Sequence, residues 1–117
     1  MLKVYVYDKC STCRKAIHFL DEADLAYERI PIREQPPTVA ELKKMAGYLE
    51  GGSAKLFNTA GRDYREQAIK DQLPGLSDAQ RFTLLHSNGN LVKRPFAIGD
   101  GVGTVGFHGD RWKELFT

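Results

Sequence analysis

Leu2-Lys3-Val4-Tyr5-Val6-Tyr7-Asp8-Lys9-Cys10-Ser11-Thr12-Cys13-Arg14-Lys15-Ala16-Ile17-His18-Phe19-Leu20 changes its hydrophobic period once, and the change is informative. Leu2 to Tyr7 is a run of β-branched and aromatic residues, which reads as a first strand. Asp8 to Thr12 is a loop that supplies N-cap residue types. From Cys13 the spacing becomes helical: Cys13, Ala16, Ile17, Leu20 and Ala23 share one face, while Lys15, Glu22 and Asp24 can face water. Leu25 to Ile30 reads as a second strand, ended by Pro31 and the polar run Arg33-Glu34-Gln35-Pro36-Pro37. Strand, helix, strand predicts a parallel pair joined by a right-handed crossover.

Downstream, Thr38 and Glu41 have the spacing of a capping box, and Val39, Leu42, Met45, Ala46 and Leu49 form the apolar stripe of the helix that follows. Gly51-Gly52-Ser53 stops that helix. A further helical block covers Ala54 to Phe57, breaks at Asn58-Thr59-Ala60-Gly61, and resumes from Tyr64 to Asp71. Ser77 caps a helix over Asp78 to about Ser87, with Ala79, Phe82, Leu85 and His86 on one side, and Asn88-Gly89-Asn90 closes it. The last third carries β-type runs at Leu91-Val92, Phe96-Ala97-Ile98 and Val102 to Phe107. Gly99-Asp100-Gly101 between the last two predicts a hairpin. Asp110 to Phe116 closes as a helix anchored by Trp112, Leu115 and Phe116. The order is βαβ, a helical insertion over about 38–90, then ββα, within one domain spanning 1–117. Tyr5, Tyr7, Phe96 and Phe107 read as core strand residues, and Arg62-Asp63 with Arg65-Glu66 as a solvated charged turn.

Composition sets outer limits. The chain has 117 residues, 42% hydrophobic and 27% charged, enough for one hydrophobic core without disulfide staples. A formal charge of +2 with interspersed signs gives no electrostatic case for direct nucleic-acid binding. No stretch has the length of a membrane span, and the N-terminus lacks a signal-peptide pattern. The expected location is the cytoplasm, where thiols stay reduced and two cysteines are not expected to serve as a structural staple.

Cys10 and Cys13 are those two cysteines, set where a strand gives way to a helix N-terminus. Free N–H groups and the positive end of the helix dipole favour negative charge there. Cysteines so placed fall from about 8.5 toward about 3.5–7.5, so the position favours a thiolate at Cys10, with Arg14 and Lys15 adding to the effect. Residues i and i+3 at a helix start lie roughly 5–6 Å apart, a span a disulfide can bridge. So small a ring restricts the unfolded chain little, which points to a redox couple rather than a staple. Two ordinary cysteines, with Cys13 part of the buried helix face, is the plainer alternative. A zinc site would need further ligands, and His18, His86 and His108 are scattered. His18 reads as a surface residue.

Four blocks then carry a resemblance in one order: Tyr7-x-x-Cys10-Ser-Thr-Cys13-Arg14-Lys15-Ala16, Leu56-Phe57-Asn58-Thr59-x-Gly61-x-x-Tyr64-Arg65, Asn88-Gly89-Asn90-Leu91-Val92-Lys93-Arg94-Pro95, and Val105-Gly106-Phe107. Together they resemble the arsenate reductase/Spx family, a branch of the thioredoxin-like proteins. The resemblance implies an α/β, thioredoxin-like fold with a central mixed four-stranded sheet. It implies a thiol-dependent reductase in which Cys10 is the nucleophile and Cys13 the resolving thiol. Arg94, before a cis Pro95, would stabilise an oxyanion or thiolate, and Ser11, Thr12, Arg14, Arg94 and Pro95 would line the substrate site.

Three arginines surround the oxyanion in the arsenate reductases that this chain resembles. Only Arg94 matches, because Leu56-Phe57-Asn58 and Gly106-Phe107-His108 stand where the others fall. Arg14, Arg62 and Arg65 are the candidate substitutes. The implied partners are a small oxyanion or disulfide and an external thiol donor, either glutathione with glutaredoxin or thioredoxin, with no bound cofactor and no metal. The family's other branch implies a different role, a redox-switched transcriptional regulator that docks on RNA polymerase through the C-terminal domain of the polymerase's α-subunit.

Overall fold

A computed structural model describes residues 1–117. Its first three elements are β1 (Leu2–Val6), α1 (Ser11–Glu22) and β2 (Tyr27–Pro31), with β1 and β2 parallel and Val4 opposite Arg29. Strands β3 (Phe96–Gly99) and β4 (Val102–Val105) form a hairpin whose turn uses Gly101 at φ +68°, a value glycine adopts without a Cβ clash. Strand β3 runs antiparallel to β1, which gives the order β2-β1-β3-β4 in a mixed four-stranded sheet. Between the halves lie α2 (Val39–Tyr48), α3 (Arg62–Glu66), α4 (Ile69–Gln72) and α5 (Asp78–Ser87), and α6 (Gly109–Phe116) closes the chain.

Both faces of the sheet are buried, and the period of two assigns each residue to a face. Val4, Val6 and Ala97 face α1 and α6, where they pack with Cys13, Ala16, Leu20 and Trp112. Tyr5, Ile30, Phe96 and Ile98 face the insertion and pack with Leu42 and Met45 of α2 and Phe82 and Leu85 of α5. The predicted capping box of Thr38 with Glu41 forms at the start of α2, and Ser77, expected as a cap, makes a second box with Gln80 at the start of α5.

Several boundaries differ from the sequence reading, each for a local reason. Helix α1 begins at Ser11 rather than Cys13, with Cys10 as its N-cap. Strand β2 starts two residues later than expected because Asp24 takes a left-handed φ of 56°. The Leu25 N–H then reaches back to the Leu20 carbonyl in a helix-ending turn. Ala68, also left-handed at φ 52°, splits the block expected over Tyr64–Asp71 into α3 and α4. Ala79 and His86 of α5 are exposed, leaving Phe82 and Leu85 as its buried face.

Leu91-Val92 does not form a strand. The 3-10 turn Gly89–Leu91 is followed by a single bridge between Val92 and Phe57, flanked by hydrogen bonds from Asn58 N–H to the Leu91 carbonyl at 2.8 Å and from Lys93 N–H to the Leu56 carbonyl at 2.7 Å. This bridge ties the second sequence block to the third and carries Lys93 and Arg94 to the Cys10 loop.

Candidate functional site

Cys10 leaves β1 with an extended backbone, φ −92° and ψ 119°. Its N–H donates to the Tyr7 carbonyl at 3.0 Å, and its own carbonyl accepts from the Arg14 N–H at 3.1 Å. No side chain caps α1, so the N–H groups of Ser11 to Cys13 have no helical acceptor. Cys10 is half-buried and Cys13 is buried; both are free thiols.

Burial pushes the Cys13 thiol up to about 12. A hydrogen bond and charge interaction with Cys10 raise it further, against the lowering effects of a hydrogen bond from the Tyr7 main chain and of the Arg94 charge. Cys10 is the N-cap of α1 and Cys13 lies in its first turn.

Cys10 opens on a cleft of about 580 Å³, lined by Tyr7, Lys9 and Thr12 from its own loop and helix, Asn58 and Ala60 from the second block, Lys93 and Arg94 from the third, and Gly106, Phe107 and His108 after β4. No Asp or Glu is among them, so Lys9, Lys93 and Arg94 set the charge of the cleft. The Arg94 Nη2 group donates to the Asn90 carbonyl at 3.3 Å, whereas Nη1 is buried without an acceptor. The Arg94 guanidinium lies 5.5 Å from the centre of the Tyr7 ring. Arg33 lies 4.9 Å from the same ring and donates to the Tyr7 hydroxyl at 2.9 Å. The Arg94-Pro95 bond is cis.

The other named residues are spread more widely. Pro95 is buried beside Arg94. Ser11 and Arg14 open on a separate depression with Phe19 and Phe107, and Arg14 donates to the Asp8 carbonyl at 3.3 Å. Arg62 faces a second cavity, and Arg65 donates to the Ala60 carbonyl. None of the three arginines considered as substitutes lines the Cys10 cleft. Lys9 and Lys93 supply positive charge there instead.

Tyr7 and Phe107, expected in the core, are only half-buried and form walls of the cleft. Tyr7 opens the first sequence block, the one signal that pointed to it. Arg33 carried no signal. Asp63, expected in a solvated turn, accepts from the amides of Asn88 at 3.0 Å and Asn90 at 3.2 Å. Those two bonds, with smaller help from Arg33 and Arg62, hold its carboxyl below the usual carboxylate range. His18 is exposed near Glu22. No helix is long and apolar enough to cross a membrane.

A mixed sheet ordered β2-β1-β3-β4, with a cysteine pair at the start of the first helix, defines a thioredoxin-like protein. More narrowly, the chain belongs to the ArsC family, whose model matches residues 5–115. It is 42% identical over 115 residues to the uncharacterized protein YusI of Bacillus subtilis, covering 97% of this chain and 96% of that one. It is 29% identical to the global transcriptional regulator Spx of Listeria innocua, covering 98% and 86% respectively. The crystal structure of a possible arsenate reductase from Streptococcus mutans superposes with a TM-score of 0.85 at 38% identity, over 92% of each chain.

Proposed function

We propose that the protein is a thiol/disulfide-dependent reductase of the ArsC type, working in the reducing cytoplasm with Cys10 as nucleophile and Cys13 as resolving thiol. The carrying observation is a half-buried Cys10 at a helix start, in an acid-free cleft with Lys9, Lys93 and Arg94 around it and a buried thiol one turn on.

In the first step the Cys10 thiolate bonds to one sulfur of a substrate disulfide. The substrate S–S bond breaks, and the leaving half departs as a thiolate that takes a proton from water. Lys9, Lys93, Arg94 and the free N–H groups of the first turn stabilise the negative sulfur. Once Cys10 is in the mixed disulfide its negative charge is gone, and one of the influences that raises Cys13 disappears with it. Arg94 still favours the Cys13 thiolate: Cys13 passes its proton to the departing sulfur as its own sulfur attacks that of Cys10, the Cys10–Cys13 disulfide closes, and the second half of the substrate leaves as a thiol. An external dithiol such as thioredoxin, or two molecules of glutathione, returns the pair to the reduced state. The same cleft suits a small oxyanion: Arg94, which has an unpaired buried N–H, lines it together with Thr12, and Pro95 is buried behind Arg94. Ser11 and Arg14 would contribute only from the adjoining face.

The test is disulfide turnover by variants. Cys10→Ser should lose activity, and Cys13→Ser should accumulate a mixed disulfide visible as added mass. Full activity in Cys10→Ser refutes the reading.

The likeness to Spx over nearly the whole chain supports a second reading. In it the pair is a redox switch, and the protein is a regulator that docks on the C-terminal domain of the α-subunit of RNA polymerase. Co-purification with that domain in one redox state only would favour the regulator. Absence of binding in both states removes it.

A further inference from the structure

Tyr7 and Arg94 are shared by two cavities. One is the Cys10 cleft. The other, about 400 Å³, adds Arg33, Arg62, Asp63 and Asn90. Three guanidinium groups there face a single carboxylate, and an oxygen of that carboxylate already accepts from two amides. None of the three arginines has an ion-pair partner: the chain's ion pairs use Lys3, His18, Arg29 and Arg111 instead. Arg94 also keeps a buried N–H with no acceptor.

Like charges gathered around one cavity repel each other, and an orphaned guanidinium N–H is costly to bury. Both costs fall when an oxyanion enters, because the planar fork of arginine matches carboxylate and phosphate oxygens. The contacts of Arg33 and Arg94 with the Tyr7 ring hold the two guanidinium groups beside the cavity.

We propose that this second cavity is an oxyanion subsite, and that it holds the carboxylate of a thiol or disulfide whose sulfur reacts at Cys10. The inference rests on the reductase reading and deepens it by naming a substrate class: disulfides that carry a carboxylate within reach of the sulfur. Arg33 and Arg62 are its specificity residues, and Arg94 serves both compartments.

Two probes with the same S–S bond test it: 3,3′-dithiodipropionate, which is anionic, and bis(2-hydroxyethyl) disulfide, which is neutral. The readout is the rate of mixed-disulfide formation at Cys10 in a Cys13→Ser background. Two exposed charge-assisted contacts amount to about a tenfold preference for the anionic probe. Arg33→Gln with Arg62→Gln should abolish that preference while changing the neutral rate by less than about twofold. Arg65→Gln, outside both cavities, should leave both rates as they are. Equal rates for the two probes, or a parallel loss on both in the double variant, overturn the subsite.

A parallel titration with inorganic phosphate follows the side-chain Nε–Hε resonances of Arg33, Arg62 and Arg94. Saturable shifts that the carboxylate probe competes away support the proposal. Saturable phosphate binding with no carboxylate preference overturns the substrate class and assigns the cavity to a free oxyanion. If neither probe reacts at Cys10, the reductase reading fails by itself. The titration then decides the subsite separately, and absence of saturable shifts refutes it.

Discussion

Folding should shield the Cys13 thiol from alkylation and make stability fall at alkaline pH. Burial, reinforced by Cys10, pushes the Cys13 thiol up to about 12 from an ordinary value of 9.0. At pH 8 its thiolate fraction in the folded protein is then about 10⁻⁴, against about 0.1 in an unfolded chain. Alkylation proceeds through the thiolate, so folding should slow iodoacetamide labelling of Cys13 by about a thousandfold or more. The same displacement affects stability. The unfolded chain releases this proton near pH 9 and the folded one near 12, so stability is complete below about pH 9 and falls as the pH rises toward 12. The loss has an upper bound of about 4 kcal/mol, from about 1.4 kcal/mol for each pH unit.

The assay is peptide mapping after labelling at pH 8, native and in urea, with urea unfolding of the wild type and Cys13→Ala at several pH values from 7 to 11. The wild type should lose more stability above pH 9 than the variant. Labelling of Cys13 in the folded protein at nearly its urea rate, or equal alkaline losses in the two proteins, would refute the reasoning.

Gly89→Ala should be severely destabilising, by about 3 kcal/mol or more on urea denaturation, because a Cβ there would sit 1.9 Å from the Ile32 carbonyl oxygen, main chain against main chain. Thr38→Ala and Ser77→Ala each remove a capping-box acceptor and should cost about 1 kcal/mol, additively, since they cap different helices. Burial alone would raise the Glu41 carboxyl. The Tyr5 hydroxyl at 2.6 Å, the Thr38 N–H at 3.0 Å and Lys3 outweigh it and hold the group below its ordinary range. A lowered folded value stabilises above the unfolded value near 4.5, and that contribution is lost as the pH falls through the folded one. Glu41→Gln should therefore show a smaller stability difference between pH 7 and pH 3 than the wild type, as measured by urea unfolding.

Local rules made much of this protein legible from its residues. The change of period after Tyr7, the Thr38–Glu41 capping box, the Ser77 cap and the Gly-Asp-Gly hairpin are short-range effects, and the structure contains all of them. The resemblance added the cis bond before Pro95, which local propensity would not favour. The first-turn residues illustrate the limit. A helix that begins at Ser11 rather than Cys13 turns its side chains by about 100° per residue, so Thr12 faces the cleft while Ser11 faces the outer depression.

Tertiary structure alone decided the walls of the site. Lys93 and Arg94 reach Cys10 because Val92 bridges to Phe57, residues far apart in the chain that no periodicity links. Tyr7 follows the last residue of β1 and packs against the same core as Tyr5, but past the end of the strand it is only half-buried. Arg33, just past β2, meets its ring only because β2 lies parallel to β1. Periodicity and capping are written within a few residues of each other and can be read there. Convergence of side chains from four separate segments depends on how the sheet and the insertion pack, and that information is spread over the whole chain.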